Sequence, residues 1–137
     1  MRDTSGGGSE AFGDSMQIQT DASMRGFDWD DISGVLAKVR EEVAEVEEAW
    51  SLGHQDSARA ELGDLLFATV NLARFLDADP VGELERANGR FARRFALLDD
   101  ELRHTGRVME QCTLEELDEV WERVKVRLRA SDTVDIV

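Results

Sequence analysis

The sequence is poor in four things, and each shortage excludes a class of protein. Cys112 is its only cysteine, so no intrachain disulfide forms and neither a CxxC redox pair nor a cysteine zinc site can be built. Any bound metal must be held by oxygen ligands. Basic residues are scarce: sixteen lysines and arginines face thirty aspartates and glutamates, for a net charge of -14. That balance lacks the basic surplus on which a nucleic-acid polymer depends as a partner. Long apolar runs are missing, which leaves nothing to span a bilayer, and the N-terminus lacks the charged-then-apolar order of a signal peptide. The reading is a cytoplasmic protein. Pro80 is the only proline, so few breakers interrupt the helical period that dominates from Asp31 onward.

What is present is enough for one domain. The chain has 137 residues, 42% of them apolar and 34% charged, which suffices for a buried core. Residues 1–24 are rich in Gly, Ser, Asp and Thr and predict a disordered tail; residues 25–130 predict a helical domain, and 131–137 a short C-terminal tail. The first helix is predicted over about Asp31 to Trp50, with Ile32, Val35, Leu36, Val39, Val43, Val46 and Trp50 as its apolar stripe. After the turn SLGHQD, a second helix over about Ser57 to Leu76 is apolar nearly all round, which predicts a central, buried position. Asp79 and Pro80 open a third helix, with Val81, Leu84, Phe91, Phe95, Leu98 and Leu102 in heptad register. Thr113 and Glu116 form a capping box for the last. The predicted fold is all-α, a helical bundle of four to five helices, completed by dimerisation because its apolar faces are so broad.

The stretch Val39–Trp50, VREEVAEVEEAW, crowds five glutamates onto one helix, where like charges three or four apart repel. At about 100° per residue, Glu42 and Glu45 flank one edge of the apolar stripe, Glu41 and Glu48 fall on the far side and Glu47 on the other edge. On the second helix, in ELGDLLFATVNL, Glu61 and Asp64 point one way, and Asn71 lies near the same line. An acidic pair on an otherwise apolar helix is hard to account for structurally, because burying an unpaired carboxylate is costly. If the two helices pack antiparallel, Glu42, Glu45, Glu61 and Asp64 converge on the seam. Such a cluster needs protons or hard cations, Mg²⁺ or Mn²⁺. A ferritin-like di-iron bundle would need a second E-x-x-H pair besides Glu101 and His104, and the sequence has none.

Other candidates stay open on the residues alone. Arg90 and Arg94, one turn apart, suit a polyphosphate or ion pairs with the surplus acids. Lys38 shares an edge with Glu42 and Glu45 and can meet those acids or a phosphate. Asn88 breaks an apolar heptad position, either to set oligomer register or to bind ligand. Trp29, in GFDWDD, covers the core end or offers a face to a base.

Together KVREEVAEVEEA, ELGDLLFATVNLARF and RANGRFARRF resemble the MazG family of all-α nucleoside triphosphate pyrophosphohydrolases. The family signature E-E-x-x-E, followed by E-x-x-D, is matched in order by Glu41, Glu42, Glu45, Glu61 and Asp64, and the resemblance covers about Gly26 to Arg129. It implies that Glu42, Glu45, Glu61 and Asp64 bind Mg²⁺, with Mn²⁺ as a substitute, and that the metal bridges to the triphosphate of a (d)NTP. It further implies that water attacks the α-phosphorus and releases pyrophosphate, with Glu41 as candidate base. Arg90 and Arg94 match phosphate-contacting positions, Asn88 and Trp29 would line the nucleotide pocket, and Asn71 and Lys38 fit the same site. Similar relatives carry lysine where Arg90 stands, which changes contact geometry. The expected assembly is a homodimer, or a dimer of dimers, clearing unwanted nucleotides. The rival expectations are a helical dimer that binds nucleotide or protein without turnover, and a phosphohydrolase that releases orthophosphate.

Overall fold

Helix formation begins where composition argues against it. The computed structural model describes residues 4–132, and Thr4–Met24 is an α-helix, α1, in place of the disordered tail predicted over 1–24. Phe12, Met16, Gln19 and Ala22 recur at helical spacing and are buried or half-buried. This one narrow stripe is enough to dock the segment, and docking overrides weak intrinsic propensity. Residues 1–3, and 133–137 of the predicted C-terminal tail, lie outside the described residues.

The chain divides into two units, one ending at Glu83 and the next beginning at Leu84. In the first, Asp31 is extended and its carboxylate accepts from the backbone N–H of Ser33 at 2.8 Å, starting α2 over Ile32–Ser51. Gly53, at φ +73°, reverses the chain: its N–H donates to the Trp50 carbonyl and that of His54 to the Ala49 carbonyl, as in a glycine-terminated helix. Helix α3, Gln55–Phe75, then returns along α2 and also packs against α1. It is central to this unit, as predicted, yet Leu62, Leu66 and Phe67 are exposed. Asp77 ends the following turn at φ 53°. Asp79 accepts from the Val81 N–H at 3.2 Å to open α4, Pro80–His104.

In the second unit, the later part of α4 meets α5, Leu114–Asp132, across a core of Leu98, Leu102, Val120 and Val124. The predicted capping box is formed: the Glu116 N–H donates to Thr113 Oγ1 at 3.1 Å, and the Thr113 N–H to the Glu116 carboxylate at 3.3 Å. Phe91 stacks with Phe95 and tilts onto Trp121. Glu101 pairs with Arg127 and the His104 ring with the Asp100 carbonyl. The heptad stripe of α4 is buried only at its C-terminal end; Leu84, Phe91 and Phe95 are exposed. Asn88, predicted as a buried amide in that stripe, is exposed with them, because a heptad register says which residues share a face and not what covers it. Among the described residues no helix is long and apolar enough to cross a membrane.

Leu102 is 0% exposed. Leu102→Ala should therefore lower stability by about 2–5 kcal/mol, the range for emptying a packed leucine site. Urea denaturation followed by tryptophan fluorescence and helical circular dichroism measures it.

Candidate metal centre

The seam between α2 and α3 brings three carboxylates together. Glu42 and Glu45, one turn apart on α2, and Glu61 on α3 each place an oxygen within 4.8 Å of the others. Glu42 is 4% exposed, and one oxygen each of Glu42 and Glu61, Oε2 in both, is buried without a hydrogen-bond partner. Buried polar atoms are nearly always partnered, and a charged one left alone is costly.

The charges show how the cluster is tolerated. Lys38 lies 3.0 Å from Glu42 and 3.4 Å from Glu41. Its hydrogen bond to Glu42 holds that carboxyl below the usual range, and the same contact raises the lysine. Glu61 has no such cation: its hydrogen bond to Glu45, its loss of water and its contact with Glu42 push it up to about 7. A proton on Glu61 thus relieves like-charge repulsion that a divalent cation would relieve more fully. The donor set fits a hard ion. It is all oxygen, and two of its oxygens lack any hydrogen-bond partner.

Beside the cluster lies a cleft of about 620 Å³ whose walls come from α1, α2, α3 and the segment between α1 and α2. Of the residues predicted from sequence, Trp29, Lys38, Glu42, Asp64 and Asn71 line it. Asp64 is exposed and is not among the three converging carboxylates; it stands one turn along α3 from Glu61. Glu41 is exposed on the far side of Lys38, its partner, as the helical wheel predicts. Asn88 and Arg90 are exposed and Arg94 half-buried on α4 in the second unit.

Three further cleft features escaped the sequence. Arg74 donates from Nε to Asn71 Oδ1 at 3.0 Å and from its terminal nitrogens to Asp28; the three-residue spacing of Asn71 and Arg74 was a signal, while Asp28 was too distant in sequence to be one. Gln19, 8% exposed, donates to the Phe67 carbonyl at 3.2 Å. Gly34 seats Trp29: a Cβ there would lie 2.7 Å from Cε3 of the indole.

Fold and site together define an all-α protein with a carboxylate cluster suited to a hard cation beside a mostly apolar cleft. Residues 31–92 match the family model described as the MazG nucleotide pyrophosphohydrolase domain. Over 109 residues, 80% of the chain, it is 42% identical to the nucleoside triphosphate pyrophosphohydrolase/pyrophosphatase MazG of Thermotoga maritima. It is 40% identical over 111 residues to the nucleoside triphosphate pyrophosphohydrolase of Escherichia coli K12. The chain spans 42% of the length of each of these relatives. It is also 36% identical over 78 residues, 57% of the chain, to YabN of Bacillus subtilis, an uncharacterized protein of which it spans 16%.

Without metal, the folded chain keeps on Glu61 a proton that the unfolded chain releases near the ordinary glutamate value of 4.5. The folded state therefore binds more protons between about pH 4.5 and 7, and stability falls as pH rises through that window. In EDTA the urea midpoint should be lower at pH 8 than at pH 5.5; Glu61→Gln should flatten the difference, and Mg²⁺ should restore the midpoint at pH 8. An equal midpoint at both pH values would count against the shared proton.

Proposed function

We propose that this chain hydrolyses (deoxy)nucleoside triphosphates to a nucleoside monophosphate and pyrophosphate in a divalent-metal-dependent reaction, and that it acts as a homodimer. The observation that carries this reading is the convergence of Glu42, Glu45 and Glu61, two of them with a buried unpartnered oxygen, beside a cleft of nucleotide size. The match of residues 31–92 to the MazG family model and the names of the relatives favour the same chemistry.

In this reading Glu42, Glu45 and Glu61 hold Mg²⁺, and Asp64, at the cleft wall, adds a carboxylate from the substrate side. Bound Mg²⁺ supplies charge neutralisation for the triphosphate and a more acidic water. Lys38 sits between the carboxylates and the cleft; it neutralises Glu42 and is within reach of a phosphate that displaces Glu41 from it. Glu41 is exposed and paired with Lys38, so its proposed role is to accept the attacking water's proton once substrate takes over the lysine. The apolar side of the cleft, with Phe27, Trp29, Phe67 and Ala68, takes the base and keeps bulk water from it, while Asn71 offers an amide. Arg90, Arg94 and Asn88 are proposed as further nucleotide contacts. The exposed apolar residues of α3 and α4, Leu62, Leu66 and Phe67 on the one and Leu84, Phe91 and Phe95 on the other, favour self-association, since clustered exposed apolar side chains mark interaction surfaces. Clearance of unwanted nucleotides is the proposed role.

The test is a panel of dNTPs and NTPs with Mg²⁺ or Mn²⁺, scoring pyrophosphate against orthophosphate. Pyrophosphate should be released, and Glu45→Gln should lower kcat/KM by roughly 100-fold or more, given that even supporting groups around a metal are worth 10–100-fold. Absence of metal-dependent turnover with every nucleotide would sink the proposal, and orthophosphate as the first product would replace the bond cleaved. Asp64→Ala with full activity would remove Asp64 from the metal site and leave the other three.

A further inference from the structure

Two amides in the cleft wall have one end fixed by a neighbour. Lys38 is engaged by Glu42 and Glu41, and Asp28 by Arg74. Gln19 and Asn71 are each 8% exposed, and their neighbours fix which way each is turned. Gln19 Nε2 donates to the Phe67 carbonyl at 3.2 Å and to Ser15 Oγ at 3.3 Å. A backbone carbonyl can only accept, so the NH₂ must face it and the carbonyl oxygen Oε1 occupies the other branch. Asn71 is the reverse case: Arg74 Nε can only donate, so Oδ1 faces the guanidinium and Nδ2 is left over. No hydrogen bond among the described residues engages Gln19 Oε1 or Asn71 Nδ2, and neither is among the buried orphaned atoms; both therefore keep solvent access. Their residues line the same cleft.

The lining combines charged groups, Lys38, Glu42, Asp64 and the Asp28–Arg74 pair, with an apolar surface from Ile18, Ala22, Phe27, Trp29, Phe67 and Ala68. A nucleoside triphosphate offers the same two kinds of surface, a charged chain and a flat, weakly hydrated base. Pockets of this composition take orientation and specificity from their few fixed polar groups.

We propose that Gln19 is a specificity-determining residue for the base: its fixed Oε1 accepts a hydrogen bond from an N–H on the base edge, either an exocyclic amine or a ring imino group. The inference rests on the nucleotide reading of this cleft. It assigns to α1, which precedes the segment matched by the family model, one wall of the substrate site. Asn71 Nδ2 supplies a donor on the opposite sense, so that the wall offers one acceptor and one donor. A base stripped of its N–H should leave Gln19 Oε1 without a partner, and a site built to hydrogen-bond a group discriminates against the analogue that lacks it.

Binding is measured by calorimetry with Ca²⁺ for ATP against purine riboside 5′-triphosphate, which lacks the amine, and UTP against 3-methyluridine 5′-triphosphate, which lacks the imino N–H. Ribose 5-triphosphate reports on binding without a base. The wild type should bind at least one analogue roughly five- to tenfold more weakly than its parent, the scale of one hydrogen bond. In Gln19→Met that ratio should fall to about one, with ribose 5-triphosphate binding unchanged and the helical circular dichroism retained. An unchanged ratio in Gln19→Met overturns the proposal. So does a loss that extends equally to ribose 5-triphosphate, since Gln19 would then only clamp α1 to α3. Because the ratios come from binding, a wild type that binds these nucleotides without cleaving them refutes the proposed hydrolysis while the ratios still decide the role of Gln19. Absence of binding to all five ligands overturns both.

Discussion

Three carboxylates meet across the α2–α3 seam in a chain that has little positive charge to offer them, and much of the first unit follows from that constraint. Burial of Glu42 is tolerated because Lys38 lies one turn before it at 3.0 Å; Glu61 has no equivalent and retains a proton instead. Other basic groups nearby are committed elsewhere, Arg74 to Asp28 and Arg59 to Asp56. Lys38 is itself shared with Glu41, which leaves Glu42 with a fraction of one ammonium. The seam is therefore underneutralised by the chain's own cations, and a proton on Glu61 relieves the repulsion.

The cleft depends on a second set of constraints, which are steric and hydrogen-bonding in kind. Trp29 lies over α2 because residue 34 has no side chain; any Cβ would meet the indole at 2.7 Å. Arg74 ties Asp28, just before that tryptophan, to Asn71 on α3, so the segment between α1 and α2 is fixed to the helix that also carries Glu61. On the other side, Gln19 fixes α1 to the Phe67 carbonyl. Each tie uses one end of a bifunctional group and leaves the other end at the cleft. A wall assembled in this way presents fixed polar atoms at small entropic cost on binding, because their rotamers are already held.

Legibility in the sequence tracked the range of the physics involved. Helices α2, α4 and α5 could be bounded because Asp31, Asp79 and Thr113 cap them through bonds spanning two or three residues, and such local signals survive without any knowledge of packing. Glu42, Glu45 and Glu61 were identifiable from helical angles plus one turn short enough to force an antiparallel pair. Helix α1 was hidden because its composition is polar and its docking stripe is narrow; only the partner surface on α3 makes it helical. Asn88 was misplaced for the converse reason. Its register was right, but burial depends on what covers a face, and no periodicity encodes that. The pairing of Asp28 with Arg74 joins residues 46 apart in sequence and left no local trace.

The exposed apolar residues of α3 link the proposed association to the carboxylate cluster. Leu62 directly follows Glu61, and Leu66 and Phe67 lie within the next two turns. They belong to the same stiff helix as the carboxylate with the raised proton affinity. A partner that covers Leu62 and Leu66 must pack against the helix that sets the position of Glu61 relative to Glu42 and Glu45. The energy of covering that face and the energy of closing the three carboxylates around a cation then act on a single rigid element. Any ligand or partner that binds only the folded arrangement of α3 stabilises it for the other. The proposed self-association and the proposed metal binding should therefore reinforce each other, with no requirement that the partner touch the metal at all.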